Sequence, residues 1–374
     1  MKVHLLKEED KERWDEYVIK SSASNCYHLT GWKNVIEKTF GHKTYYLLAT
    51  QDSSNSTNPI NSIVIDSFTQ SSVLSPQSLV NPSSPIVGIL PIVQLKSLIF
   101  GNFMVSCPYF NYGGICADND EIREELLKEA VDITEREGGK HIELRHTDHI
   151  LNGLPAKTAK VSMRLELPQK PEELWDSFSS KLRSQIRRPT KEEMYSRFGR
   201  EEELDNFYTI FSINMRDLGT PVYSKAFFKN ILGEFPEATW ICTAYTKEGI
   251  PVASGFLVAF KDRLEIPWAS SLKEYNRFGP NMLLYWSVLK FACEKGFRLF
   301  DFGRSTPGEG TYKFKEQWGA KPVQLYWHYW LKNGGPLPEL NPDNPKYKLA
   351  INIWRKLPVG LTILIGPHIV KNLP

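Results

Sequence analysis

The chain has 374 residues, of which 41% are hydrophobic and 24% charged, so it is long enough for two globular domains with ordinary cores. Its net charge of +3 is too small to indicate nucleic-acid binding by itself. The five cysteines are scattered and form no Cys-x-x-Cys pair, which predicts reduced thiols in the cytoplasm rather than a disulfide framework. The polar first ten residues predict no signal peptide, and no apolar stretch reaches the ~20 residues of a membrane-spanning helix.

The first half of the chain alternates between helical and strand patterns. Apolar residues recur at spacings of three and four in its helical segments, and a Gly-Gly pair ends the last of them. The predicted helices are 8–20, 29–40 and 121–137, and the predicted strands are 45–49, 86–93, 95–105 and 141–145. A stretch at 51–85 is rich in Ser, Asn, Gln and Pro and predicts a flexible insertion. This order predicts a mixed α/β domain over 1–160.

The second half repeats this plan on a larger scale. The predicted strands are 161–167, 240–245, 252–260, 263–267, 297–302 and 325–331, and the predicted helices are 171–180, 201–218, 225–234 and 281–295. The pattern predicts a second α/β domain over 161–335. We expect the remaining tail, 336–374, to pack back on the two domains.

One carboxylate stands in a strand that is apolar on both faces. Asp301 lies between Phe300 and Phe302, near the carboxyl end of that strand, where open α/β sheets place their ligand crevices. Burial there raises the pKa of a carboxyl group unless a cation pairs with it, and Arg304 and Lys315 are the candidate partners. A purely structural ion pair is the alternative interpretation.

Two features suit an anionic ligand. Arg183 and Arg187 are four residues apart in helical register, so they share a face that fits a pyrophosphate, an RNA backbone or simply solvent. Asn281 opens an apolar helix after a Gly-Pro pair, where free backbone N–H groups and the helix dipole favour a phosphate or a carboxylate. Capping of that helix is the alternative role for Asn281.

Three other reaction classes find no support in the sequence. The glycine-rich loop at 303–315 has the first spacing of a phosphate loop, but Glu309 stands where the essential lysine belongs, which argues against a nucleotidase. The segment HTDH at 146–149 lacks a third well-spaced ligand, so we predict no metal site. No Gly-x-Ser-x-Gly nucleophile motif occurs.

Phrases along nearly the whole chain carry a family resemblance. In the first half they are HLTGW (28–32), GILP (88–91), NYGG (111–114) and IELR (142–145). In the second half they are LRSQIRR (182–188), MRDLGTPVY (215–223), IPWAS (266–270), PN (280–281), DFGRS (301–305) and FKEQWGA (314–320). Together they resemble the FemAB family, in the subgroup associated with exosortase and PEP-CTERM exopolysaccharide systems.

This resemblance implies two tandem GNAT-like (acyl-CoA N-acyltransferase) domains with the active-site cleft in the second. It implies transfer of an acyl or aminoacyl group to an amine on a cell-envelope, peptidoglycan or exopolysaccharide precursor. The co-substrate would be acyl-CoA or aminoacyl-tRNA, with no tightly bound cofactor. The family's pyrophosphate loop is degenerate here, with Asn276 and Asn281 at its ends, and the coiled-coil arm of some tRNA-using members is absent from the sequence. Both donors therefore stay open.

The resemblance also implies roles for individual side chains. Lys315 matches a lysine that relatives place in the catalytic cleft, where it would stabilise the oxyanion. Asp301 would orient the acceptor or take its proton, directly or through water. The remaining candidates are phosphate anchors and cleft walls: Arg183, Arg187, Arg216 and Arg304 as anchors, and Tyr223 and Trp268 as walls.

A non-catalytic module is the competing interpretation. It would bind polysaccharide or a partner in an envelope assembly system, and Trp354, Leu357 and Ile363 in the tail would serve docking. In either case we expect a small-molecule, glycan or peptide precursor as ligand, with tRNA as a further candidate and DNA excluded. The apolar tail is also a candidate for peripheral contact with a membrane surface.

Overall fold

The computed structural model describes residues 1–51, 84–147, 150–338 and 345–373, so the insertion predicted at 51–85 lies almost wholly outside the described residues. The strands are β1 (Lys2–Leu5), β2 (Thr44–Thr50), β3 (Ile86–Ser97), β4 (Gly101–Val105), β5 (Cys116–Ala117), β6 (His141–His146), β7 (Ala156–Lys157), β8 (Val161–Glu166), β9 (Tyr195–Gly199), β10 (Thr239–Tyr245), β11 (Pro251–Phe260), β12 (Arg263–Ser271), β13 (Leu299–Ser305), β14 (Lys321–Gln324) and β15 (Tyr326–Leu331). The α-helices are α1 (Lys11–Lys20), α2 (Gly31–Phe40), α3 (Asp120–Arg136), α4 (Pro171–Ser177), α5 (Ser180–Lys191), α6 (Glu201–Leu218), α7 (Lys225–Glu234), α8 (Pro280–Glu294), α9 (Gly310–Glu316), α10 (Pro345–Trp354) and α11 (Val359–Val370).

The strands form two sheets with the same spatial plan. The first sheet has the order β1-β2-β3-β4-β6-β15-β7, with β5 beside β3, and the second has the order β9-β10-β11-β12-β13-β8-β14. In each sheet one central pair is parallel, β4 with β6 and β12 with β13, and the other neighbours are antiparallel. The prediction of mixed α/β architecture is confirmed.

One strand crosses from the second half into the first sheet. β15 lies between β6 and β7 of the first sheet, whereas β8, the first strand of the second half, stays in the second sheet between β13 and β14. The prediction that strand 325–331 completes the second sheet is therefore wrong. Alternating apolar residues predict a strand but do not select its partner, and β6 would otherwise leave its backbone groups unpaired at an edge. The crossing of β15 into the first sheet ties the two domains together.

Aromatic side chains fill the interface between the two sheets. The first half supplies Tyr27, Trp32 and Phe110, and the second half supplies Phe227 and Trp268 to the same buried cluster. The rings of Tyr27 and Phe110 stack with centroids 4.2 Å apart, and Phe110 meets Trp268 at 6.1 Å. Buried aromatic pairs contribute both area and specific geometry, so this cluster holds the two sheets in one register.

The tail packs on both halves. The hydroxyl of Tyr109 donates to the carbonyl of Lys371 at 2.7 Å, and Gly366 lies so close to Val222 that a Cβ there would come within 2.8 Å of its backbone nitrogen. Within the described residues, no helix is long and apolar enough to cross a membrane.

The three tail residues assigned to docking by the sequence do not fit that role well. Trp354, Leu357 and Ile363 are half-buried, and Ile363 packs against the aromatic cluster. Other residues of the tail are the exposed apolar ones.

Candidate active site

The parallel strands β12 and β13 separate after a short paired stretch. Their last paired residues are Glu265 and Asp301, although β12 continues to Ser271 and β13 to Ser305. A cavity of about 260 Å³ lies beyond the separation, lined by the end of β12, the first turns of α8 and the helix α9. We call this cavity the wedge. Its strands leave backbone groups and side chains available to a ligand.

Lys315 is the cation in the wall of the wedge. Its Nζ donates to the carbonyl oxygens of Gly303 at 3.0 Å and Arg304 at 2.9 Å, and the residue is only 8% exposed. Burial lowers the pKa of this amine, the charge of Asp301 opposes the shift and that of Arg304 adds to it, and the resulting pKa is about 8. Because an ammonium group has three N–H donors and two are used, one is left for a ligand.

Asp301 is fully buried and saturated with hydrogen bonds. Its Oδ1 accepts from Ser162 Oγ at 2.7 Å and from the Gly303 backbone N–H at 2.8 Å. Its Oδ2 accepts from the Tyr112 hydroxyl at 2.8 Å and from Arg164 Nε at 3.1 Å. The charge is thus balanced by Arg164 of the neighbouring strand β8. A carboxylate without exposed surface and with four donors is suited to positioning neighbours.

The partners expected for Asp301 stand in a different relation to it. Gly303 adopts a left-handed backbone conformation, with φ of 75°, at a bulge in the pairing of β13 with β8. Its N–H faces Asp301 and its C=O faces Lys315, so Asp301 acts on Lys315 through the backbone of this one residue. The guanidinium of Arg304 lies 5.2 Å from the ring centre of Trp327 instead. The predicted ion pair with Arg304 or Lys315 is therefore wrong.

A second buried carboxyl group lies beside Asp301. Glu265 Oε2 accepts from the hydroxyls of Tyr27 and Tyr112, each at 2.9 Å, and Oε1 is buried with no hydrogen-bond partner among the described residues. Burial and then the charge of Asp301 raise the pKa of Glu265 to about 8. Since the bridging hydroxyl of Tyr112 has one proton for two carboxyl groups, a protonated Glu265 relieves their repulsion.

Asn281 is the predicted ligand contact that the structure brings together with Lys315. Both line the wedge, and Asn281 Nδ2 donates to Ser271 Oγ at 3.0 Å. Gly279 precedes the helix with φ of 78°, and no side chain caps its first turn. Because Pro280 has no N–H and the two residues after Asn281 donate to the Gly279 carbonyl, the Asn281 N–H is the donor of this turn that remains beside the wedge.

The two predicted cleft walls lie elsewhere. Tyr223 and Trp268 meet edge to face at 6.3 Å and belong to the aromatic cluster between the sheets. Among the described residues that line the wedge, neither is present. Their packing role explains the aromatic side chains without a ligand.

Three of the predicted phosphate anchors also lie outside the wedge. Arg216 donates from Nε to Asp217 at 2.7 Å and from Nη1 to the carbonyl of Leu357 at 3.2 Å, so it fastens the tail. On α5, Arg187 is exposed and its guanidinium lies 5.2 Å from the ring centre of Trp175, and Arg183 is half-buried.

The fourth anchor, Arg304, lines a separate groove of about 660 Å³ over the first sheet. Lys157 and Lys160 provide two more cations there, and Trp327 and Tyr329 provide aromatic walls. Lys157 Nζ lies 4.9 Å from the ring centre of Tyr329. We call this the basic groove. It shares residue Arg304 with the rim of the wedge, because the Arg304 backbone carbonyl accepts from Lys315.

Sequence reasoning missed most of the carboxylate network. Glu265 stands between Leu264 and Ile266 in a buried strand, the same signal that singled out Asp301, and could have been found that way. Arg164 gave no local signal, because only the pairing of β8 with β13 brings it to Asp301. Among the described residues, no group of His, Cys, Asp or Glu could hold a metal ion.

Comparison with known proteins identifies the fold. Residues 176–316, which include Lys315, match a family model described as an acetyltransferase (GNAT) domain. A crystal structure of FemX superposes with a TM-score of 0.65 at 14% identity, covering 94% of this chain and all of that one. A tandem GNAT protein from the clavulanic acid biosynthesis pathway gives 0.52 at 10% identity, with 90% and 99% covered.

A third structure is the C-terminal domain of a protein named as a lysylphosphatidylglycerol synthetase, from Agrobacterium fabrum. It gives a TM-score of 0.51 at 12% identity, with 85% of this chain and 91% of that one covered. No curated protein matches the chain. The prediction of two tandem GNAT-like domains is confirmed: the chain has the tandem GNAT fold, with the acetyltransferase-domain match in its second half.

Proposed function

We propose that this chain is an N-acyltransferase that moves an acyl or aminoacyl group onto an amine of a cell-envelope precursor. The observation that carries the proposal is the wedge, an opening between two parallel strands with a buried lysine in its wall. The acetyltransferase-domain match over 176–316 supports the same reaction class.

The chemistry follows from the groups around the wedge. The acceptor amine attacks the carbonyl carbon of an activated ester or thioester, and negative charge develops on the carbonyl oxygen. The free N–H of Lys315 stabilises that oxyanion in a site with little water. When the tetrahedral intermediate collapses, the bond to the donor breaks and the proton lost by the amine passes to the leaving thiolate or alkoxide. Asp301 accepts from the Gly303 N–H, and the Gly303 carbonyl orients Lys315. We therefore assign Asp301 a positioning role rather than direct proton transfer.

Two donors fit the geometry. A volume of about 260 Å³ suits an acyl or aminoacyl group rather than a whole donor. The backbone N–H of Asn281 at the start of α8 suits a donor phosphate, which both acyl-CoA and aminoacyl-tRNA carry. Both donors are made in the cytoplasm, which supports a cytoplasmic location.

The basic groove is the proposed acceptor site. Its cations at Lys157, Lys160 and Arg304 favour an anionic precursor, and its aromatic walls favour a sugar ring or a base. The names of the similar structures, FemX and lysylphosphatidylglycerol synthetase, support an envelope precursor. A peptidoglycan precursor or an exopolysaccharide precursor of a PEP-CTERM system is the finer form of this proposal.

Thermal unfolding with a panel of acyl-CoA thioesters and, separately, aminoacyl-tRNA tests the donor. A donor at 100 times its Kd adds about 2.7 kcal/mol to the free energy of unfolding. That raises the midpoint by several degrees, at roughly 2–4 °C per kcal/mol. A rise with one donor class identifies it. No rise with either class would contradict the proposal and favour a non-catalytic module, which also predicts that ligand binding persists when Lys315 is replaced.

A further inference from the structure

The tail helices α10 and α11 expose large apolar side chains. Leu349 is 62% exposed and Leu364 is 68% exposed. The exposed apolar residues of the two helices are Leu349, Ile353, Leu361, Leu364 and Ile365. Single exposed leucines are ordinary, but these residues are three or four positions apart within each helix, so each helix presents them on one side, and such a set marks a contact surface.

Helix α11 turns its large apolar side chains toward solvent, unlike an ordinary surface helix. The side that faces the protein carries Thr362, Gly366 and Val370, spaced four residues apart. The side that faces solvent carries Leu361, Leu364 and Ile365. Surface helices normally turn their large apolar residues toward the core. The outward side of α11 is therefore built for an apolar environment outside this chain.

The charge carried by α10, α11 and the residues that join them is entirely positive. Residues 345–373 contain no Asp or Glu, and their basic residues are Lys346, Lys348, Arg355, Lys356 and Lys371. The whole chain has a net charge of only +3, so these five residues outweigh the rest of the chain, which is slightly acidic. The partner of this surface must therefore be apolar and negatively charged.

We propose that α10 and α11 lie flat on an anionic phospholipid bilayer. We call their exposed apolar residues, together with the exposed Lys348, Arg355 and Lys356, the membrane face. Apolar side chains enter the boundary between headgroups and acyl chains, and the basic side chains are attracted to anionic lipid. A helix of 12 residues is about 18 Å long, shorter than a bilayer core, so the contact is peripheral.

A second copy of the chain fits this surface less well. A symmetric dimer through the membrane face would bring two copies of residues 345–373 together, without a carboxylate in that segment to balance their basic residues. An anionic bilayer supplies the missing negative charge. The charge pattern therefore selects lipid over self-association.

Vesicle sedimentation tests the proposal with the full chain. We expect binding to vesicles that contain phosphatidylglycerol, weaker binding to pure phosphatidylcholine, and a loss of binding as salt screens the basic residues. The double variant Leu364→Asp, Ile365→Asp should bind at least ten-fold more weakly. The matched control is Ile19→Asp, which changes an apolar side chain of α1 with 54% exposure and should leave binding unchanged.

Two outcomes would overturn the proposal. One is no binding to anionic vesicles, or equal binding by the double variant and the parent chain. The other is a dimer in solution that the double variant dissolves, without vesicle binding, which would assign the surface to a second copy. A thermal unfolding midpoint within a few degrees of that of the parent chain shows that a variant is folded. Lys356→Glu provides a second variant, which changes the charge of the membrane face and leaves its apolar residues intact.

Discussion

The two sheets share one plan but differ where their central parallel strands end. In the second sheet the space beyond Glu265 and Asp301 stays open as the wedge, with Lys315 in its wall. In the first sheet Glu143 at the corresponding position is buried and pairs with Arg145 at 2.6 Å. In the first sheet an ion pair neutralises Glu143, whereas in the second sheet Lys315 keeps one N–H donor for a ligand.

The first sheet contributes to the site through its own loops. Tyr112, on the loop after β4, donates to Asp301 at 2.8 Å, and Tyr27 donates to Glu265 at 2.9 Å. A duplicated domain can therefore position the catalytic groups of its neighbour from its own loops. The comparison teaches that the first half is a support for the site as well as a binding surface.

The largest expected effect is on the buried carboxylate of the second sheet. Replacement Asp301→Asn leaves Arg164 without its buried partner, which should lower the free energy of unfolding by about 3–5 kcal/mol. Urea unfolding measures this loss. The matched control is Asp217→Asn, which breaks the more exposed pair with Arg216 and should cost at most about 1 kcal/mol. Equal losses would mean that the buried pair of Asp301 with Arg164 stabilises the fold no more than the more exposed pair of Asp217 with Arg216.

Lys315→Met should reduce acyl transfer about 10²–10³-fold while the chain stays folded, because the oxyanion loses its donor. Lys313→Met is the matched control, since Lys313 is exposed on the same helix α9. Steady-state rates with the donor identified by thermal shift measure both. The pKa of Lys315 near 8 also predicts that the rate falls as pH rises above 8. A rate that rises with pH there would make Lys315 a base instead.

Tyr112→Phe tests the support from the first sheet. Removing the hydroxyl that bridges Glu265 and Asp301 should cost about 1–3 kcal/mol of stability. Tyr46→Phe is the control, because the Tyr46 hydroxyl is buried with no hydrogen-bond partner among the described residues and its loss should be neutral. If both variants unfold at the same urea concentration, the bridge contributes nothing.

Glu265 makes stability depend on pH. Its pKa is about 8 in the folded chain against 4.5 ordinarily, so the folded state keeps a proton that the unfolded chain loses between those values. The contribution is complete below pH 4.5 and disappears as pH rises through 8. The stability of the parent relative to Glu265→Gln should fall by up to about 1.4 kcal/mol per pH unit in this window. Parallel curves for the two proteins from pH 5 to 8 would refute the shift.

The smallest expected effect separates two arginines in similar settings. Arg304 and Arg187 each lie 5.2 Å from a tryptophan ring centre, Trp327 and Trp175 respectively. Arg304→Ala should raise the KM for an anionic acceptor about ten-fold, a loss of about 1.4 kcal/mol. Arg187→Ala should leave that KM unchanged, because it lies outside the basic groove. Equal changes would remove the groove from the proposed function.

Local structure was well predicted from the sequence where the signals are local. Helices α6 and α7 have the predicted bounds, 201–218 and 225–234, because Gly219 ends the first and Ser224 caps the second. The prediction of one continuous strand over 95–105 is wrong, also for a local reason. A turn after Ser97 interrupts it, and β4 begins at Gly101 with φ of 86°.

The site was predicted only in part, because its geometry is not local. Asp301, Lys315 and Asn281 were found from strand position, family phrases and a helix start. Their relation through the Gly303 peptide depends on a left-handed turn and a bulge that no periodicity reveals. The ion pair of Asp301 with Arg164 depends on the pairing of β13 with β8. Strand partners are set by tertiary packing, which apolar alternation does not encode.

The most direct test of the central claim is a crystal structure with a non-transferable analogue of the donor that raises the unfolding midpoint. We predict that the acyl carbonyl lies in the wedge, within hydrogen-bond distance of Lys315 Nζ, with the first sheet's parallel pair unoccupied. An analogue bound in the first half of the chain, or in the second half with its carbonyl away from Lys315, would contradict the account.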